Sequence, residues 1–181
     1  MKDLPAKRSD LSVYIETFPD FPSPGVLFHD FTPLHADPEA FAVAISYLYE
    51  DTAPWGFNKM VAIEAKGFLI GSRLAGLAHV PLVLARKPGL TPGATIARDF
   101  IKEYGTGAYE LKRSVLSPGD SVLIVYDILA GPGATNAVIE MIEELGASVA
   151  GAAFVIELEY LEGRTHLRTH NVTSLVKVPS P

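Results

Sequence analysis

The sequence predicts an α/β fold built on a mainly parallel central sheet flanked by helices. Three observations carry this. Short apolar runs alternate with helix-patterned stretches along most of the chain. The clearest run, SVLIVYD at 121–127, is apolar almost throughout, as expected of a strand buried on both faces. The long segments between runs leave room for helical crossovers, which join parallel strands.

The elements follow in order. Residues 9–18 read as a short helix capped by Ser9. The stretch 18–31, FPDFPSPGVLFHDF, holds three prolines and four phenylalanines, which excludes a regular helix or a central strand. It is too apolar for a linker and is expected to pack as an ordered lid or hood. Asp37-Pro38-Glu39 is a strong helix start, with a cap, a proline at the first position and an early acid, and the helix should reach about Tyr49. Residues 60–64 form a strand, 68–78 a helix and 82–86 a second buried strand. Residues 88–105 are rich in glycine and proline, then polar, and read as a long mobile loop. Residues 109–115 suit an edge strand. Ser117-Pro118-Gly119-Asp120 is a turn. After strand 121–127, a loop at 128–134 leads into a helix from 135 to about 145, followed by strands at 149–157 and 172–178.

Bulk properties narrow the function. A chain of 181 residues suits a single domain spanning 1–181. The net charge of −6 removes the global basic footprint of a nucleic-acid binder, although local cations and backbone N–H groups can still bind a small anion. The absence of cysteine excludes a disulfide framework and a thiolate nucleophile. The polar start and the lack of a long apolar run predict a cytoplasmic protein with no membrane contact. His166 and His170 would share one face of a helix, but no glutamate follows the first as in HExxH and no third ligand is evident, so no zinc site is expected.

In a parallel sheet, ligands bind beyond the carboxyl ends of the strands. Three loops qualify: 64–67, 86–105 and 127–135. The last, Asp127-Ile128-Leu129-Ala130-Gly131-Pro132-Gly133-Ala134-Thr135, follows the best strand and opens a helix. Small residues let a ligand approach the backbone, and a helix N-terminus offers free N–H groups and partial positive charge. The same features suit an ordinary strand-to-helix turn, and the loop matches neither the Walker pattern nor the dinucleotide fingerprint. Lys66 and Arg86-Lys87 place three cations at adjacent strand ends. Phe28, followed by His29, has a ring able to stack on a planar base.

Taken together, FPDFPSPGVLFHDFTPL, EAKGFLIG, ARKPG, EYGTGAYEL, SPGDSVLIVYD and LGASVAGAAFVIEL resemble, in order and spacing, the adenine phosphoribosyltransferases, over nearly the whole chain after the first ten residues. The resemblance implies the type I phosphoribosyltransferase fold, with a hood at about 18–31, a flexible loop at about 88–105, and a homodimer. It implies transfer of phosphoribose from its 1-pyrophosphate to adenine, giving AMP and pyrophosphate, with magnesium carried by the substrate rather than by protein ligands. By the same resemblance, Leu27 (through its backbone) and Phe28 hold the base, beside His29, and Glu103 and Tyr104 close over it. Lys66 and Arg86 face pyrophosphate. Asp127 takes the ribose hydroxyls, and Ala130, Gly131, Pro132, Gly133 and Ala134, with Thr135 behind them, cradle the 5′-phosphate.

Where the family reads approximately D-D-L-L-A-T-G-G-T, this chain reads Y-D-I-L-A-G-P-G-A. Tyr126 replaces one sugar-binding acid, two threonine hydroxyls are missing at Gly131 and Ala134, and Pro132 removes a backbone donor. Lys66 stands for an arginine, losing a bidentate fork, Leu90 for a lysine, and His29 for an arginine. These changes admit two other expectations: a purine transferase using a different pyrophosphorylated sugar, or a non-catalytic nucleotide-binding paralogue.

Overall fold

The computed structural model describes residues 8–101 and 105–180. Five parallel strands form the central sheet: β3 (Lys59–Ile63), β4 (Leu82–Ala85), β7 (Ser121–Leu129), β8 (Ser148–Leu158) and β9 (Val172–Val178), in the order β4-β3-β7-β8-β9. Alternate side chains of one strand serve opposite faces. Val122 and Ile124 of β7 join an apolar cluster with Val138 and Ile142, whereas Leu123 and Val125 join a second with Leu48, Ile70 and Leu74. The first cluster is closed by helix α4 (Gly133–Glu144). The second is closed by α2 (Pro38–Thr52) and α3 (Lys66–Ala78), with the short α1 (Thr32–Ala36) beside α2. Strands covered on both sides need apolar residues at every position, which is why 121–125 reads as an unbroken run.

The proposed cap of α2 is present: the Asp37 carboxylate accepts from the N–H groups of Glu39 at 3.1 Å and Ala40 at 3.0 Å.

Two small antiparallel sheets flank the core. The proline-rich stretch is a hairpin, β1 (Glu16–Pro19) paired with β2 (Leu27–Asp30). The second hairpin, β5 (Thr95–Ile101) with β6 (Thr106–Lys112), corrects two expectations. Much of the segment read as a mobile loop is regular strand, and residues 109–115 are not an edge of the central sheet. β6 meets that sheet only at a bridge between Arg86 and Glu110, and Arg113–Val115 is a 3-10 turn. The hairpin is sequestered because its inward residues, Ile96, Phe100, Tyr109 and Leu111, complete the α4-side cluster.

Three further boundaries move. Arg8–Tyr14 is a 3-10 helix rather than the helix expected over 9–18, and residue 16 already begins β1. β7 continues to Leu129, so Asp127 lies within a strand and not in the loop beyond it. α4 begins at Gly133, two residues early. His166 ends a 3-10 turn, Gly163–His166, and His170 lies beyond it, so the shared helical face they required does not form. Among the described residues no helix is long and apolar enough to cross a membrane.

Candidate active site

The chain enters the site through the tips of β3, β4 and β7. After β3, Glu64-Ala65 leads directly into α3, whose first residue is Lys66. The Lys66 ammonium donates to Asp30 Oδ1 at 3.2 Å and lies over the rings of Phe31 and Phe28, 4.6 and 5.2 Å from their centroids. It therefore ties the hairpin β1–β2 to the sheet tip. Asp30 also accepts from the backbone N–H and hydroxyl of Thr32, at 3.2 and 2.9 Å. Burial raises the Asp30 carboxyl, but these bonds outweigh it and leave the group below its ordinary value.

Phe18, Phe21, Phe28, Asp30 and Lys66 line a cleft of about 380 Å³. Phe21 and Phe28 meet edge to face, with centroids 5.2 Å apart. Phe18 and Phe21 are exposed, at 45% and 53%. Aromatic walls with one anion–cation pair suit a planar heterocycle carrying hydrogen-bonding edges. Leu27 begins β2, immediately before Phe28, and is half-buried. His29 points away from this cleft, as strand alternation between Phe28 and Asp30 requires. It is 5% exposed, neither ring nitrogen has a partner, and burial lowers its pKa, so it is a neutral inward-facing side chain.

At the tip of β4, Arg86 donates from Nη1 to the Leu90 carbonyl at 2.7 Å, and its Nε lies 3.8 Å from Glu64 Oε2. Glu64 Oε2 also accepts the Lys87 N–H at 2.8 Å. Glu110, which the sequence did not single out, holds the other side of this turn. Its Oε1 accepts from the N–H groups of Leu90 at 3.1 Å and Thr91 at 2.8 Å. Burial pushes the Glu110 carboxyl up, yet hydrogen bonds from 89–91 keep it below its ordinary value. By strand alternation it lies on the face opposite the inward Tyr109 and Leu111, where a strand acid carries no signal in sequence that it is buried.

Asp127 has the most unusual environment. Its Oδ1 is buried and without a hydrogen-bond partner. Burial raises its pKa to about 6, against the pull of the Lys66 charge and of the N–H groups of Asp127 and Ile128. Tyr126, beside it, turns its phenol into the α4-side cluster. Its hydroxyl lies 3.1 Å from that of Tyr109, and Tyr109 donates to the Glu64 carbonyl at 3.2 Å. Tyr109 also stacks on Phe100 at 5.1 Å. Burial, then the Asp127 charge and Tyr109, push the Tyr126 hydroxyl well above the ordinary tyrosine range. Tyr126 thus ties β7 to hairpin β5–β6, whose Tyr109 reaches on to the loop before Lys66.

Beyond Leu129, Ala130-Gly131-Pro132 leads into α4 with Pro132 at the cap position and no side-chain cap. The first N–H groups of a helix have no acceptor four residues back. Gly131 is open, with nothing within 4 Å of the place where a Cβ would stand. Gly133 packs against the backbone of Ile101: a Cβ there would collide with the Ile101 carbonyl oxygen and lie 3.6 Å from Phe100 Cβ. Ala134 packs on the α4-side cluster, and Thr135, 1% exposed, sits on the inner face of the helix. The structure thus brings Phe28, Lys66, Asp127 and 130–134 to one end of the sheet. Glu103 and Tyr104 lie outside the described residues.

A loop of small residues that opens a helix after a parallel strand, a carboxylate near that strand's end and an aromatic cleft meet at this end of a sheet with the type I phosphoribosyltransferase fold. No protein-family model matches the chain. Comparison with individual proteins is decisive. The adenine phosphoribosyltransferase of Carboxydothermus hydrogenoformans is 44% identical over 171 residues, covering 93% of this chain and 99% of the relative. The crystal structure of that enzyme from Thermoanaerobacter pseudethanolicus superposes with a TM-score of 0.91 at 35% identity, covering 95% of this chain and all of the other. The Saccharomyces cerevisiae enzyme, solved with adenine and an imino-altritol bisphosphate, gives 0.86 at 34% identity, covering 93% and 97%. The chain belongs to the adenine phosphoribosyltransferases, enzymes of the pentosyltransferase class.

Proposed function

We propose that this protein transfers the 5-phosphoribosyl group of phosphoribosyl pyrophosphate to adenine in purine salvage. The sugar C1–O bond to pyrophosphate breaks, a C1–N9 bond to the base forms and the base loses its N9 proton, giving AMP and pyrophosphate. The observation that carries this reading is Asp127: a buried carboxylate with one oxygen unpartnered, between the aromatic cleft and the N-terminus of α4. A buried acceptor left open is suited to take a donated hydrogen bond, and sugar hydroxyls are such donors.

The roles follow from position. Phe28 and Phe21 would hold the base as a plane, with the Leu27 backbone along its edge. Lys66, released from Asp30, and Arg86 would face the departing pyrophosphate and stabilise its developing charge. The backbone of 130–134 would hold the 5′-phosphate, fixing the sugar carbon in line with the base. Glu103 and Tyr104 would close over the base. The unpartnered Asp127 carboxylate oxygen is a fit for magnesium delivered with the substrate pyrophosphate. Bound there, the ion would neutralise pyrophosphate charge. The working form would be one domain per chain, paired as a cytoplasmic homodimer.

One observation favours a second reading of the donor. The Tyr126 hydroxyl is committed to Tyr109, so Asp127 would hold the sugar without a second carboxylate, and a differently substituted pyrophosphorylated sugar becomes a candidate. Assays with adenine and either phosphoribosyl pyrophosphate or its 2-deoxy analogue decide: AMP formation from the ribosyl donor supports the main reading, exclusive use of the deoxy donor the second, and no turnover of either, in a folded protein, refutes both.

A further inference from the structure

The segment after β8 is built against the phosphate loop. Arg164 forms a fork onto Glu157, Nε to Oε1 at 2.7 Å and Nη2 to Oε2 at 2.5 Å. Its Nη1 donates to the Val172 carbonyl at 2.8 Å, and Ser174 donates to Glu157 Oε2 at 2.5 Å. Glu157 is 3% exposed and pairs in register with Leu129, the last residue of β7. The neighbouring Gly163 touches the first residue of the phosphate loop. A Cβ there would collide with the Ala130 carbonyl oxygen, lie 3.0 Å from its carbon and 3.3 Å from Leu129 Cδ1. The same segment is tied to the second turn of α4, where Asn136 donates to the His166 carbonyl at 2.9 Å and accepts the Arg168 N–H at 3.0 Å. Residues 163–168 therefore touch the loop where it leaves the sheet and where it enters the helix.

We propose that Gly163, held by the Arg164–Glu157 pair, is a positioning residue for the donor phosphate: it sets the Ala130 peptide and through it the direction of the backbone N–H groups of Gly131, Gly133 and Ala134. An ion pair with Glu157 buried and Arg164 partly exposed gives little net stability, because desolvation and solvent screening offset its attraction. Here it fixes geometry, and the geometry it fixes is a glycine contact with a loop whose own side chains offer no hydroxyl before Thr135. With so few side-chain contacts to phosphate, the direction of the backbone carries the site.

This inference rests on the proposed function, and the experiment separates the two. Calorimetry with AMP and with adenine is performed on the full chain and on two variants. Gly163→Ala is expected to weaken AMP binding on the order of 10- to 100-fold, the cost of misplacing a binding group by about 1 Å, with adenine affinity unchanged. Arg164→Lys, which keeps the charge and loses the fork, is expected to act in the same direction by a smaller factor, and it decides the matter where Gly163→Ala does not fold. General loosening of the structure would weaken both ligands together. A folded variant that binds AMP as the parent does, or that loses AMP and adenine equally, overturns the inference alone. A parent protein that binds no AMP overturns the proposed function and the inference with it.

Discussion

Replacing Asp127 with asparagine should stabilise the empty protein at neutral pH while it destroys donor binding. The carboxyl is held at about 6 in the folded chain against an ordinary 3.8. That difference corresponds to about 3 kcal/mol of preference for the neutral form. The sign follows from linkage. The folded state binds the proton more tightly than the unfolded state, so stability is unaffected below pH ~4, falls through the interval between the two values, and is fully reduced above pH ~6. Asparagine carries no charge at any pH and escapes this cost, although its amide N–H groups need partners of their own, which leaves a gain of about 1–2 kcal/mol at pH 8. For a domain of this size each kcal/mol moves the midpoint by about 2–4 °C. Thermal melts of parent and Asp127→Asn at pH 5 and pH 8, without ligand, measure the effect. The variant should gain relative to the parent on going from pH 5 to pH 8, by about 1.4 kcal/mol. A variant that melts below the parent at pH 8, or parallels it at both values, would show that Asp127 is a structural strand residue rather than a carboxylate held ready for a sugar.

Phe28→Ala should weaken adenine binding by about tenfold, since a stacked aromatic wall contributes about 1–3 kcal/mol. Calorimetry reads it, and an unchanged affinity removes Phe28 from the base site. Restoring the phosphate loop with Gly131→Thr, Pro132→Gly and Ala134→Thr should raise AMP formation from phosphoribosyl pyrophosphate, because two hydroxyls and one N–H return. Adding Tyr126→Asp to that triple should lower the melting midpoint, since it removes a phenol packed on the core and bonded to Tyr109. A quadruple variant as stable as the triple would mean that Tyr126 does not brace the hairpin.

The layout of the fold was legible where one physical demand acted alone. Burial on both faces wrote β7 as an unbroken apolar run, and Asp37-Pro38-Glu39 announced α2 through a cap that satisfies real N–H groups. Hairpin β5–β6 was missed because two demands competed. Residues 88–93 carry the glycines and prolines of a turn, and they masked the strand that follows, whose inward residues Ile96 and Phe100 belong to the core. Among the candidate site residues, Phe28, Lys66, Arg86 and Asp127 were named because motif order and position near a strand end agreed. Glu110 was not, because a buried acid that holds a turn through backbone N–H groups looks in sequence like any exposed strand glutamate. The expectation for His29 followed its motif neighbours, but strand alternation turns it inward, away from Phe28 and Asp30.

The departures from the family motif at 126–134 are coupled through packing. A carboxylate at position 126 would stand beside Asp127, which burial already raises to about 6, and two buried acids so close would drive one of them neutral. Tyrosine removes that conflict and spends its hydroxyl on Tyr109, bracing the hairpin whose Ile101 carbonyl rests on Gly133. The loop 130–134 is then bounded on two sides by backbone, by Ile101 at Gly133 and by Gly163 at Ala130. Pro132 suits such an enclosure: at φ −80° and ψ −16° it adopts the helical conformation that its ring favours, and it gives up one N–H donor in exchange for a loop with fewer alternatives. The loop therefore trades side-chain contacts for a stiffer backbone, and its affinity for phosphate should depend on neighbours outside the motif more than on any residue within it.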